Sequence, residues 1–407
     1  MTKKRLLIIL FFAMFSLMVG IVSAQPPRPT PPPTDFTPQP PTPIAPSPTI
    51  TPTQPRIEAT PTLRGGNVNP TPTTPVLASP TPDFPTTDFM PLAPTAGRTF
   101  ITRENLSEVV LLARIVPPNY YDGFGLVGVE FSPDGRYILI SGNQGSVHFY
   151  DLIALRRGEA EPLFSFTNGS QTVWDVAFHP YLDQFVACSA DGFIALKDFE
   201  GNSLQEISAP ISATQCNYSP KGDLFGYSGA NQAYRYFVDA EGSLTFDEDV
   251  IYTESSAHDV IFSGSGTILY TSGGTGVTAH AMDGDTILWR SLDITNVWSV
   301  NPLPSGNLLA TGSGGLVVLL DADGVEITRY DGHENDVIES AYSPDGDILV
   351  TGSWDNNLLF WDGTGELTAP LHSLNHGAYI VDMAWSRDGA LVASVGNNGH
   401  LLLWGIP

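Results

Sequence analysis

Few groupings in this 407-residue chain could do chemistry by themselves. Gly123-Phe124-Gly125-Leu126-Val127-Gly128 has the glycine spacing of a dinucleotide-binding turn, where small residues let a pyrophosphate reach the backbone at a helix start. That chemistry needs a strand, a turn and a helix. The pattern around Gly128 predicts a strand with no helix behind it. Asp321-Ala322-Asp323-Gly324 opens like a calcium loop, but the later oxygen ligands are missing, so a β-turn between strands is expected. No phosphate-binding loop, zinc-protease motif, serine-nucleophile elbow or Cys-x-x-Cys pair occurs. Cys188 and Cys216 are the only cysteines; an oxidising compartment would permit a disulfide, but the sequence favours two separately buried thiols. No catalytic residue, metal or cofactor is expected.

The elements that would position any site come from a repeat. A short alternating strand ends in an aromatic, a tight turn follows, and a second apolar strand leaves it. The best copies are Val129-Glu130-Phe131-Ser132-Pro133-Asp134-Gly135 and Ser340-Ala341-Tyr342-Ser343-Pro344-Asp345-Gly346. Proline fixes φ in such a turn, Ser and Asp bond the backbone, and glycine accepts a positive φ. The aromatic slot recurs at 131, 178, 218, 262, 302, 342 and 385, with spacings of 47, 40, 44, 40, 40 and 43. That is the period of a four-stranded propeller blade, and seven markers predict seven blades.

Ahead of the repeats the composition changes. Between Gln25 and Arg98 lie 23 of the 35 prolines, while all seven tryptophans follow that stretch. Such a segment cannot bury enough apolar surface to offset its ordering entropy, so residues 25–98 are expected to form a disordered linker. Lys3, Lys4 and Arg5, the apolar run Leu6 to Val22 and the small residues Val22-Ser23-Ala24 resemble an export signal over residues 1–24, or an uncleaved anchor. The expected location is therefore extracellular or at the cell surface, with membrane attachment only through that anchor. Residues 99–407 hold 11 basic and 39 acidic side chains, a balance that repels phosphate backbones and argues against nucleic acid.

At this point the chain resembles the WD-repeat family, over roughly Thr102 to Pro407, and in particular its exported bacterial members. The sixth repeat carries Gly332-His333 at its start and Trp361-Asp362 at its end; the seventh has His376 and Trp404. Tyr150-Asp151 and Lys197-Asp198 replace the Trp-Asp pair in the first two repeats. The resemblance implies an all-β, seven-bladed propeller closed by an N-terminal strand, with Val109 to Ile115 pairing the last blade. It also implies buried polar networks of His333, Thr351, Asp355 and Trp361 in blade six and of His376, Ser394, Asn398 and Trp404 in blade seven. These are structural sets rather than catalytic ones.

By the same resemblance, the residues four before each marker ring the mouth of the central channel. They are Val127, Trp174, Thr214, His258, Trp298, Ile338 and Val381. Next to them stand Asp175, Asp259, Glu339 and Asp382. Aromatic rings beside carboxylates could trap a cationic group of a protein or peptide. The favoured function is a monomeric, non-enzymatic binding platform. The alternative is an extracellular enzyme acting on a carbohydrate or lactone through channel-mouth acids such as Asp175 and Asp259, which would need carboxylates with separated pKa values.

Overall fold

In each blade the turn after the aromatic marker joins the first strand to the second. In blade one Ser132 Oγ donates to Asp134 Oδ1 (2.5 Å) and accepts from Tyr137 N (2.9 Å), and Gly135 takes φ +67. Blade six repeats this with Ser343, Asp345 and Ile348 N. Blade three has Lys221 where those turns have aspartate, and Asp223, two residues on, receives the Ser219 hydroxyl instead (2.7 Å). The serine hydroxyl thus satisfies the hairpin backbone in blades one, three, four, six and seven, whichever residue receives its proton.

The computed structural model describes residues 99–407 apart from 119–124, 158, 230–231, 248–250, 253–256 and 283–285. The expected signal (1–24), the linker (25–98) and the first two residues of the glycine motif lie outside them. The described residues form seven antiparallel sheets, six of them built as four-stranded meanders, with one additional short strand in blade three. The inner strands are Leu126–Phe131, Val173–Phe178, Gln215–Tyr218, Ala257–Phe262, Val297–Pro302, Val337–Tyr342 and Ile380–Trp385. The fold is a seven-bladed β-propeller. Val110–Ile115 pairs antiparallel with Leu401–Gly405, so the N-terminal strand supplies the outer strand of blade seven and no sheet edge is left at the join.

Apolar packing is organised by seam. A separate buried cluster fills each junction between neighbouring blades, as with Leu309, Leu319, Val337, Leu349 and Trp361 between blades five and six. At the junction of six and seven, Ile101, Leu106 and Val109 of the lead-in join Phe360, Met383 and Trp404. The lead-in is a 3-10 turn, Arg103–Glu108, entered through Thr102, whose N–H donates to Asn105 Oδ1 (2.7 Å). Arg103 reaches the buried Asp362 carboxylate and the Asp347 carbonyl, pinning this segment to blade six.

The two cysteines are not separate thiols. Cys188, on the second strand of blade two, is bonded to Cys216 on the inner strand of blade three, with Cα atoms 6.6 Å apart. Sequence spacing placed them in neighbouring blades; only the seam brings them face to face.

Candidate functional site

Gly128, the last residue of the glycine motif, lies on the inner strand of blade one, and no helix follows that strand. A Cβ there would stand 2.4 Å from Ser141 Oγ and 3.1 Å from the Trp174 carbonyl, so the glycine permits close packing rather than phosphate binding. Asp321 closes a turn by accepting from Asp323 N (3.0 Å) and Val325 N (2.9 Å). Among the described residues no group of side chains is arranged to hold a metal ion.

The polar set of blade six comes together in full. His333 Nδ1 bonds Asp355 Oδ2 and His333 Nε2 bonds Thr351 Oγ1, both at 2.7 Å. Trp361 Nε1 donates to the same hydroxyl at 2.8 Å. In blade seven Ser394 Oγ joins His376 Nδ1 (2.9 Å) and Trp404 Nε1 (2.8 Å), with Asn398 beside the imidazole. Strand register puts Tyr150 and Lys197 on the rung that Trp361 occupies. Blade four has His280 on that rung, bonded to Thr271 Oγ1 (3.2 Å). The bonds within these sets run from one member to another inside a blade, which suits wedges and not catalysts.

The channel mouth has a distinct backbone signature. Six of the seven inner strands break register at the position four before the marker: between Leu126 and Gly128, Val173 and Asp175, Ala257 and Asp259, Val297 and Ser299, Val337 and Glu339, and Ile380 and Asp382. A bulge of this kind leaves one residue unpaired and re-aims its side chain. The residues at these register shifts are Val127, Trp174, His258, Trp298, Ile338 and Val381.

Two of them meet. His258 stacks on Trp298 with ring centres 4.4 Å apart and planes at 15°. The His258 ring is fixed by Nδ1, which donates to the Val297 carbonyl (3.0 Å), and burial lowers its pKa. Trp298 in turn lies 6.1 Å from Trp354, and Trp354 lies 6.4 Å from Tyr379. Trp298 Nε1 donates to Ser313 Oγ, which donates to Asp336 Oδ2. A half-buried aromatic strip therefore runs across blades four to seven. Trp174, in blade two, is not part of it. Trp354 and Tyr379 were missed because they stand on connecting turns, outside the inner-strand position; a tryptophan at a turn tip, in Ser353-Trp354-Asp355-Asn356, was the available signal.

The carboxylates do something other than line the mouth. Asp175 Oδ1 accepts from its neighbour Val176 N (2.8 Å), and Oδ2 accepts from Cys216 N of blade three (2.8 Å). Asp259 likewise takes Val260 N (2.7 Å) and Val300 N of blade five (2.9 Å). Asp382 takes Met383 N (2.6 Å) and Val129 N of blade one (2.7 Å). Glu339 of blade six accepts from Ser299 Oγ (2.5 Å) and Asn301 Nδ2 (3.3 Å) of blade five. Glu130, which sequence reasoning passed over, accepts from Phe178 N of blade two (2.6 Å). Five seams are thus tied by an acid side chain across the channel wall. Burial pushes the Asp175 carboxyl up to about 7 against the pull of its amide donors, with the Asp259 charge adding to the rise. Burial likewise raises Asp259, Glu339, Asp382 and Glu130, and neighbouring carboxylates raise Glu339, Asp382 and Glu130 further.

Comparison with known proteins agrees with this architecture. The family described as "WD domain, G-beta repeat" matches residues 160–196, 324–362 and 368–405. Three repeats of this seven-bladed propeller therefore match as WD repeats. Among curated relatives, the Pre-rRNA-processing protein IPI3 of Mycosarcoma maydis is 24% identical over 176 residues, covering 40% of this chain and 28% of that protein. Denticleless protein homolog B of Xenopus laevis is 28% identical over 108 residues, covering 25% of this chain and 15% of that protein. Apoptotic protease-activating factor 1 of Rattus norvegicus is 21% identical over 282 residues, covering 69% and 22%. The chain therefore spans less than a third of the length of each of these relatives, all three of which are eukaryotic.

Proposed function

We propose that this WD-repeat propeller is exported and acts, as a monomer, as a non-enzymatic platform that binds a protein or peptide through the channel mouth. The observation that carries the reading is the contiguous strip of His258, Trp298, Trp354 and Tyr379, half-buried and set on bulged strands and turns. Rigid aromatic surface at low entropic cost is what binding hot spots use. The partner is basic: the aromatic faces attract a guanidinium or ammonium, and 39 acidic side chains against 11 basic ones after residue 98 repel anions. Export is supported by the leader-like first 24 residues and by the disulfide, since such bonds persist mainly in oxidising compartments.

The hydrolase alternative gains no support from the carboxylates. Both oxygens of Asp175 and of Asp259 are engaged by backbone N–H groups, so neither is presented to a sugar or lactone.

The test is capture of exterior proteins of the producing cell by wild type and by the Trp298→Ala, Trp354→Ala double variant. Melting is followed in parallel to confirm that the variant is folded. Loss of a specific partner by roughly 2 kcal/mol or more is expected. Equal capture by the folded double variant would remove this face from consideration.

A further inference from the structure

Glu130, Asp175, Asp259, Glu339 and Asp382 stand on inner strands, the charge of one acting on the next, and each ties its own blade to a neighbour. We propose that the propeller takes up protons at this wall when it folds, so that its blades are held together more firmly in mildly acidic medium than in alkaline. The inference is independent of what the mouth binds.

Negative groups brought together inside a protein cannot all ionise without repulsion, unless cations or water offset them. Among the described residues the cation that acts on the set is Arg387, beside Glu130 at one end. Tyr218 also feels Glu130, and Tyr181 faces Arg387. His258, next to Asp259 on the same strand, has its pKa lowered by burial, which disfavours its charged form. The charge felt by Asp175, Glu339 and Asp382 is thus chiefly that of other carboxylates. Glu339 is the hub, since it feels Asp259 and Asp175 and acts on Asp382.

The sign follows from linkage. A carboxyl raised in the folded state above its unfolded value binds a proton that the unfolded chain releases. Its contribution is complete below the ordinary carboxylate range, near pH 4, and is lost as pH rises through the folded value, about 7 for Asp175. Each such proton changes the folding equilibrium about tenfold per pH unit inside that window.

Urea unfolding of the full chain between pH 5 and 8.5, in about 1 M salt to screen surface charge, tests this directly. The midpoint should fall as pH rises, and unfolding at pH 6 should release protons measurable in weak buffer. All three donors to Glu339 use its Oε1, which an amide oxygen can replace. Glu339→Gln should therefore raise the midpoint at pH 8 and leave it nearly unchanged at pH 5, while the exposed Glu200→Gln changes neither. A wild-type midpoint that is flat or rises with pH, without proton release, would overturn the proposal whether or not the variant folds. A folded Glu339→Gln protein that keeps the full wild-type slope would remove Glu339 from it.

Discussion

Blades five and six share a seam and the same threonine, yet they use it differently. In blade six Thr351 is the centre of a network, bonded by Trp361 and His333. In blade five the equivalent Thr311 is fully buried, its hydroxyl has no hydrogen-bond partner, and the rung that carries Trp361 next door is Leu319. Both blades nevertheless make the same meander and contribute to one apolar cluster. The difference teaches that the signature network stiffens a blade without being needed to form it. Seam packing, the closing strand and the channel-wall carboxylates are shared burdens that survive its loss.

Converting one blade into the other should break the contrast. Trp361→Leu gives blade six the side chain of blade five, removes a fully buried indole and leaves the threonine hydroxyl one donor short. A loss of about 3 kcal/mol is expected, near the low end for emptying a large aromatic site. Chemical denaturation reads it, and a loss under about 1 kcal/mol would mean that the network is ornamental in blade six as well.

A smaller effect is expected at the hydroxyl itself. Thr351→Val keeps the shape but takes the shared partner from both Trp361 Nε1 and His333 Nε2. It should cost about 1–3 kcal/mol, the range for stranding a buried polar group. The smallest change is the same substitution next door. Thr311→Val removes an oxygen that has no partner, so stability should stay level or rise by up to about 1 kcal/mol. Equal losses at 311 and 351 would show that the blade-five hydroxyl is satisfied in solution, through water, and would erase the distinction.

Much of this was readable in advance, for a local reason. The Ser-Pro-Asp-Gly turn and its spacing are properties of a few consecutive residues, so the blade count and the inner strands follow from them. Pairing of Val110–Ile115 with the last blade follows because blade seven would otherwise lack an outer strand. What stayed hidden are contacts made across seams. Cys188 meets Cys216, Glu130 reaches Phe178 N, and Arg103 reaches Asp362, each joining two blades or the lead-in to a blade. Position within a repeat does not say which side chains cross to the next one. The aromatic strip was half legible. His258 and Trp298 hold repeat positions, whereas Trp354 and Tyr379 sit on turns that repeat logic ignores.

The closing strand also sets the order in which the molecule can be made. Val110–Ile115 leaves the ribosome before any blade exists, and its partner Leu401–Gly405 follows the inner strands of all seven blades. Until then Val110 and Leu111 belong to an unpaired edge, and six assembled blades still form an open arc. Pairing of these two strands joins Val110 to Gly405 across all the blades between them, and such long-range contacts slow folding and prolong exposure to aggregation. A nascent propeller is therefore safest if it crosses any membrane unfolded, or is held by a chaperone, until its final strand is available to shut the circle.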